Sequence, residues 1–73
     1  MARRPDPIEK FPRRVKQLRM QAGLSQNKLA RRADLDRSTI SNAERGKEVS
    51  DLTVRKLEIA FSEVLGRSIN LRE

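Results

Sequence analysis

Apolar residues recur along this chain at steps of three and four, in four short blocks separated by polar and helix-breaking residues. That spacing is the signature of amphipathic helices, because 3.6 residues per turn returns such positions to one face. In the first block Val15, Leu18 and Ala22 alternate with Arg and Lys. Pro12 suits the first position of a helix, where its missing N–H costs nothing. Gly23 supplies a left-handed stop, so the spacing predicts a helix over 12–22. In the second block Ser25 can cap the N-terminus, and Leu29, Ala30 and Ala33 form the apolar stripe of a helix over 25–33. Lys28, Arg31 and Arg32 lie on or near its outer face. Asp36 and Gly46 bracket a third helix, about 36–45, with Ile40 and Ala43 on its back and Leu35 just upstream. Ser50 then opens a fourth helix in which Val54, Leu57, Phe61, Val64 and Leu65 share a wide apolar face. Ile59 falls off that stripe, and Gly66 ends the helix or starts a turn. The alanines at 30, 33 and 43 allow helices two and three to cross closely.

Outside these blocks the pattern fades. Residues 1–10 carry Pro5, Pro7 and several charges with no apolar period, and read as a flexible basic arm. The tail from 67 to 73 alternates Ile69 and Leu71 with polar residues, and a short strand, an extended arm or a dimer contact all fit it. No other segment reads as a strand. The expectation is an all-α domain of four or five helices over 11–66, with an arm before it and a tail behind.

The third helix has an unusual front. Arg37, Ser38, Ser41, Asn42 and Arg45 fall on one face, opposite Ile40 and Ala43. Two short helices joined by a few residues, the second with a polar front, form a helix-turn-helix. The major groove of B-DNA, about 12 Å wide, admits one helix. There Arg pairs with guanine, Asn with adenine, and Ser or Thr with either. Free N–H groups at helix N-termini suit phosphate oxygens.

Composition narrows the choice. The 73 residues suffice for one small domain. With no Cys and no His, disulfides, thiolate and imidazole chemistry and the usual zinc sites are excluded. No cofactor is expected. No apolar run is long enough to span a membrane, and the charged N-terminus lacks the apolar core of a secretory signal, so the expected location is cytoplasmic. The formal charge of +7 is unevenly spread. Residues 1–47 hold 13 basic and 5 acidic groups, whereas 48–73 hold 4 and 5. A one-sided positive field suggests a polyanion, nucleic acid first. The plainer reading is a solubilising surface. Membrane-surface binding would want large apolar residues opposite a basic helix face, and the chain has no Trp and only Phe11 and Phe61.

The run LRMQAGLSQNKLARRADLDRSTISNAERGK resembles the helix-turn-helix core of the Cro/C1-type, or xenobiotic-response-element-like, family of bacterial and phage regulators. GLSQ, LARRA, STIS and ERGK carry the likeness in register. The resemblance implies a lambda-repressor-like fold and double-stranded DNA as partner. It implies that Arg37, Ser38 and Asn42 reach base edges, with Thr39 and Ser41 as second-rank contacts. Ser25, Gln26, Lys28, Arg45 and Lys47 would meet phosphates, and Gln26 would also brace the recognition helix. Arg19 and Glu44 match a structural salt bridge between the first helix and the end of the third; two exposed, unpaired charges are the plainer reading. The family usually has Gly at the turn between helices two and three, where this chain has Asp34.

Other residues read more simply. Ala30, Ala33, Leu35 and Ile40 are core, and Arg31 and Arg32 are solvated or near phosphate. Arg3 and Arg4 suit a non-specific phosphate contact better than insertion into a minor groove. The carboxylates are explained as caps, turns and surface, and no Gly-rich phosphate loop is present, so no enzymatic activity is expected. RNA recognition relies on aromatic stacking that this chain scarcely offers. The expected function is regulation of transcription by a homodimer on a palindromic operator, without a small-molecule ligand. The alternative is an antitoxin or antiactivator that binds a regulatory protein partner, with the tail and Ile59 as the surface.

Overall fold

A computed structural model describes residues 7–71, and shows four helices and no strand among them. They are α1 (Pro7–Gln21), α2 (Gln26–Ala33), α3 (Arg37–Glu44) and α4 (Asp51–Leu65). The fold is all-α. Helix α3 is held mainly by α1 and α2, and α4 lies against α2 and α1 from another side. One core joins them: Val15 and Leu18 of α1, Leu29, Ala30 and Ala33 of α2, Ile40 and Ala43 of α3, and Val54, Leu57, Ala60 and Phe61 of α4. Phe61, Leu29, Ile40 and Leu57 are its largest fully enclosed side chains. Phe11, Leu24, Leu35, Val49 and Leu65 pack around its edge. Ile59 is about half exposed, consistent with its place off the stripe.

The helix ends follow a common stereochemistry. After α1 the Leu24 N–H donates to the Arg19 carbonyl and Gly23 N–H to Met20, with Gly23 at φ +69°. After α2 the Leu35 N–H donates to Ala30 and Asp34 N–H to Arg31, with Asp34 at φ +56° and ψ +50°. After α3 the Lys47 N–H donates to Asn42 and Gly46 N–H to Ala43. Each pair satisfies two carbonyls that the helix cannot, through one left-handed residue. Asp34 is the one described residue other than glycine with positive φ. It holds the place that Gly takes at the other turns, so the three-residue turn between α2 and α3 carries some strain.

Three local expectations need correction. Helix α1 starts at Pro7, not Pro12. Pro7 takes the first-turn position, and Pro12 sits inside the helix, where it cannot donate to the Ile8 carbonyl. Residues 7–10, read as part of a flexible arm, are therefore helical, while Arg3 and Arg4 lie outside the described residues. Asp36 occupies the N-cap position of α3 in extended conformation, but its side chain makes no capping hydrogen bond. By contrast, the hydroxyls of Ser25 and Ser50 accept from the Lys28 and Thr53 amides at 3.1 and 3.2 Å. Helix α3 itself closes at Glu44, and Arg45 is its C-cap.

The tail is not a strand through Leu71, and it turns back on its own domain. Ile69 and Leu71 are buried in the core. Their amides would be costly to enclose unpaired. The Ser62 hydroxyl accepts the Ile69 N–H at 3.1 Å, and a Glu58 carboxylate oxygen accepts the Leu71 N–H at 3.0 Å. Arg14 of α1 donates to the Asn70 carbonyl at 3.1 Å.

Candidate nucleic-acid interface

Helix α3 has two unlike sides. Ile40 and Ala43 are fully enclosed and fix the helix against α1 and α2. On the opposite side Arg37, Ser38 and Arg45 are exposed, and Thr39, Ser41 and Asn42 are half-buried. Among the described residues, the side chains of these six form no hydrogen bond or ion pair. A guanidinium, three hydroxyls and a carboxamide thus share one short helix, followed by the Arg45 guanidinium, with their hydrogen-bonding capacity unspent inside the fold. Lys47, just beyond, and Lys28 on α2 are likewise exposed and without a described partner.

The contrast lies at the C-terminal end of α3. Arg19 Nε donates to Glu44 Oε2 at 2.6 Å, and Nη2 donates to Oε1 at 3.2 Å, a two-pronged pair that matches the guanidinium fork. The third guanidinium nitrogen, Nη1, donates to the Leu24 carbonyl at 3.0 Å. The Gln26 amide donates to Glu44 Oε1 at 3.3 Å. The two charged side chains are only 15% and 7% exposed. One carboxylate therefore ties α1, the α1–α2 turn and the start of α2 to the last residue of α3. This sets the angle at which the front of α3 leaves the domain.

Ser25 and Gln26 stand at the entry to α2, and the Gln26–Glu44 bond brings them beside the end of α3. The Ser25 oxygen accepts the cap bond, which leaves its O–H free to donate. Gln26 keeps one amide hydrogen beyond the one given to Glu44. Arg45 and Lys47 follow directly after Glu44. Of the positions expected at phosphates, Ser25, Gln26, Arg45 and Lys47 thus gather at the C-terminal end of the helix whose front is expected at bases, with Lys28 one turn further along α2.

Sequence reasoning missed one tie to this unit. Lys56 of α4 donates to the Asp34 carbonyl at 3.2 Å and lies 3.7 Å from the Asp34 carboxylate. It holds the strained turn from a helix distant in sequence, and no local pattern marks a half-buried lysine beside the apolar face of α4 for that task.

Two short helices joined by a tight turn, the second presenting polar groups, define a helix-turn-helix domain of the kind that enters DNA grooves. The helix-turn-helix family model matches residues 15–70, nearly the whole chain. This chain belongs to that Cro/C1-type family, whose domains are DNA-binding regulators and not catalysts. No curated protein matches it. Among the described residues no group of metal-capable side chains gathers, and no helix is long and apolar enough to cross a membrane.

Proposed function

We propose that this protein binds duplex DNA sequence-specifically as a homodimer and regulates transcription, with α3 in the major groove. The observation that carries this reading is the unspent, donor-rich front of α3 on a fully enclosed apolar back. Arg37, Ser38 and Asn42 are the principal base readers, and Thr39 and Ser41 assist them. Arg suits guanine, Asn suits adenine, and a hydroxyl suits several edges. Ser25, Gln26, Lys28, Arg45 and Lys47 grip phosphates and set the register without carrying sequence information. Two copies related by a two-fold axis read half-sites about 34 Å apart, which gives a palindrome.

An antitoxin or antiactivator would draw in part on the tail for its partner surface. Ile69 and Leu71 are turned into the protein's own core, so through Leu71 the tail has no free large apolar side chain to offer a partner. Ile59 remains available.

Selection of bound sites from random duplex DNA tests the proposal. The expected result is a palindrome with two half-sites one helical turn apart, bound with an affinity that falls steeply with salt. An unselected pool, or an affinity flat in salt, overturns it.

A further inference from the structure

The outer side of α4 carries a stripe that the DNA-facing surface does not use. Arg55, Ile59 and Glu63 follow one another at four-residue steps and so stack on one face. Leu52 lies at the head of the same stripe, seven residues before Ile59. All four are exposed, Leu52 by 64%, Ile59 by 48% and the Arg55 side chain by 73%. Among the described residues Arg55 forms an ion pair only with Glu58, at 3.9 Å, and Glu63 has no hydrogen bond or ion pair. A shallow groove lined by Arg55, Ile59, Ser62, Glu63 and Asn70 runs between this stripe and the returning tail.

The order of charges on the stripe is self-complementary. One turn before the apolar centre stands a cation, and one turn after it stands an anion. From this we infer that the outer face of α4 is the surface on which a second copy of this chain docks, with the two α4 helices antiparallel about a two-fold axis at Ile59. This rests on the reading of the protein as a homodimer. In such a pair each residue one turn before Ile59 faces the residue one turn after it in the other copy. Arg55 of each copy then meets Glu63 of the other, twice over, on either side of an Ile59–Ile59 contact. Leu52 falls opposite Gly66 of the second copy, where a missing side chain leaves open space. A parallel pair would instead set Arg55 against Arg55 and Glu63 against Glu63, so the charges also select the orientation. Self-complementarity of one patch is what a two-fold interface requires. Helix α3 is held by α1 and α2, so this contact leaves its front free. A 15-residue helix is about 22 Å long. One helix face buries less than the roughly 800 Å² per partner of a standard interface, so association in free solution is weak.

Charge reversal tests the surface. In sedimentation across a concentration series, wild type self-associates. Arg55→Glu and Glu63→Arg each raise the dimer dissociation constant at least about tenfold, because each sets like charges face to face. An equimolar mixture of the two single variants forms a heterodimer, and the double variant Arg55→Glu/Glu63→Arg recovers the homodimer. Ile59→Asp abolishes association while its circular dichroism shows the monomer still folded. If wild type dimerises and both single reversals dimerise equally well, the interface is elsewhere while the homodimer reading stands. If the mixture and the double variant fail to recover, the antiparallel register is wrong. If wild type stays monomeric both free and on DNA, the homodimer reading itself fails, and this surface with it.

Discussion

Removal of the Glu44 carboxylate tests how strongly the recognition helix is anchored. In Glu44→Ala, Arg19 loses both prongs of its pair, and Gln26 loses its acceptor. The guanidinium keeps only the Leu24 carbonyl, in a site that leaves its side chain 15% exposed. Breaking a buried ion pair from one side costs about 3–5 kcal/mol, whereas an exposed pair contributes about 0–1 kcal/mol. The retained carbonyl bond and the residual exposure of Arg19 favour the lower end, about 3 kcal/mol. For a domain of this size that corresponds to a fall in melting temperature of roughly 10–25 °C. Urea denaturation followed by far-ultraviolet circular dichroism measures it, provided the denaturant slope is unchanged. The companion variant Arg19→Met/Glu44→Leu removes both charges and refills the space. Measured beside its own two single variants, Arg19→Met and Glu44→Leu, it should recover most of the loss, giving a coupling energy above about 1 kcal/mol. A Glu44→Ala loss below about 1 kcal/mol, or single losses that simply add in the double variant, refutes the account of Glu44 as the anchor of α3.

Three further outcomes are expected. Asn42→Ala and Arg37→Ala should each relax base preference at one position per half-site, by about 1–3 kcal/mol in binding-site titrations; an equal loss on every sequence would mark a phosphate contact instead. Gln26→Ala should weaken binding to all sequences alike, and a loss confined to one base identity would contradict its assignment to the backbone. Asp34→Gly should raise the melting temperature by a few degrees without changing the selected DNA site. Relief of left-handed strain, roughly 1–2 kcal/mol for an ordinary residue, outweighs the extra entropy of an unfolded glycine, about 0.5–1 kcal/mol, and the Lys56 bond to the backbone carbonyl survives. A fall would show that the Lys56–Asp34 carboxylate contact matters more than the strain.

Local chemistry accounts for most of what is legible in the sequence. A 3.6-residue period, a serine oxygen three residues from an amide, and a left-handed residue at a helix end all act within one or two turns. The linear pattern is therefore enough to place α2 and α4 and to mark the two sides of α3. The same locality explains the errors. Pro7 and Pro12 both qualify as a first helical residue by type, and residue type alone does not choose between them; the helix begins at Pro7. Asp36 has the residue type and backbone of a cap, yet its side chain does not make the bond.

What lay beyond the string of residues is everything that joins distant segments. Arg19 and Glu44 are 25 positions apart, and residue likeness alone paired them; the addition of Leu24 and Gln26 to the same cluster depends on how α1, α2 and α3 cross. Lys56 reaches Asp34 across 22 positions. The alternation of Ile69 and Leu71 fitted a strand, an arm or a dimer contact equally well, because period alone does not say which surface receives a side chain. Glu58 and Ser62 supply the answer by accepting the tail's amides, so that its apolar residues can enter the core without stranding a buried N–H. Short-range order needs only neighbours along the chain, whereas burial and long-range pairing are properties of helices already packed in three dimensions.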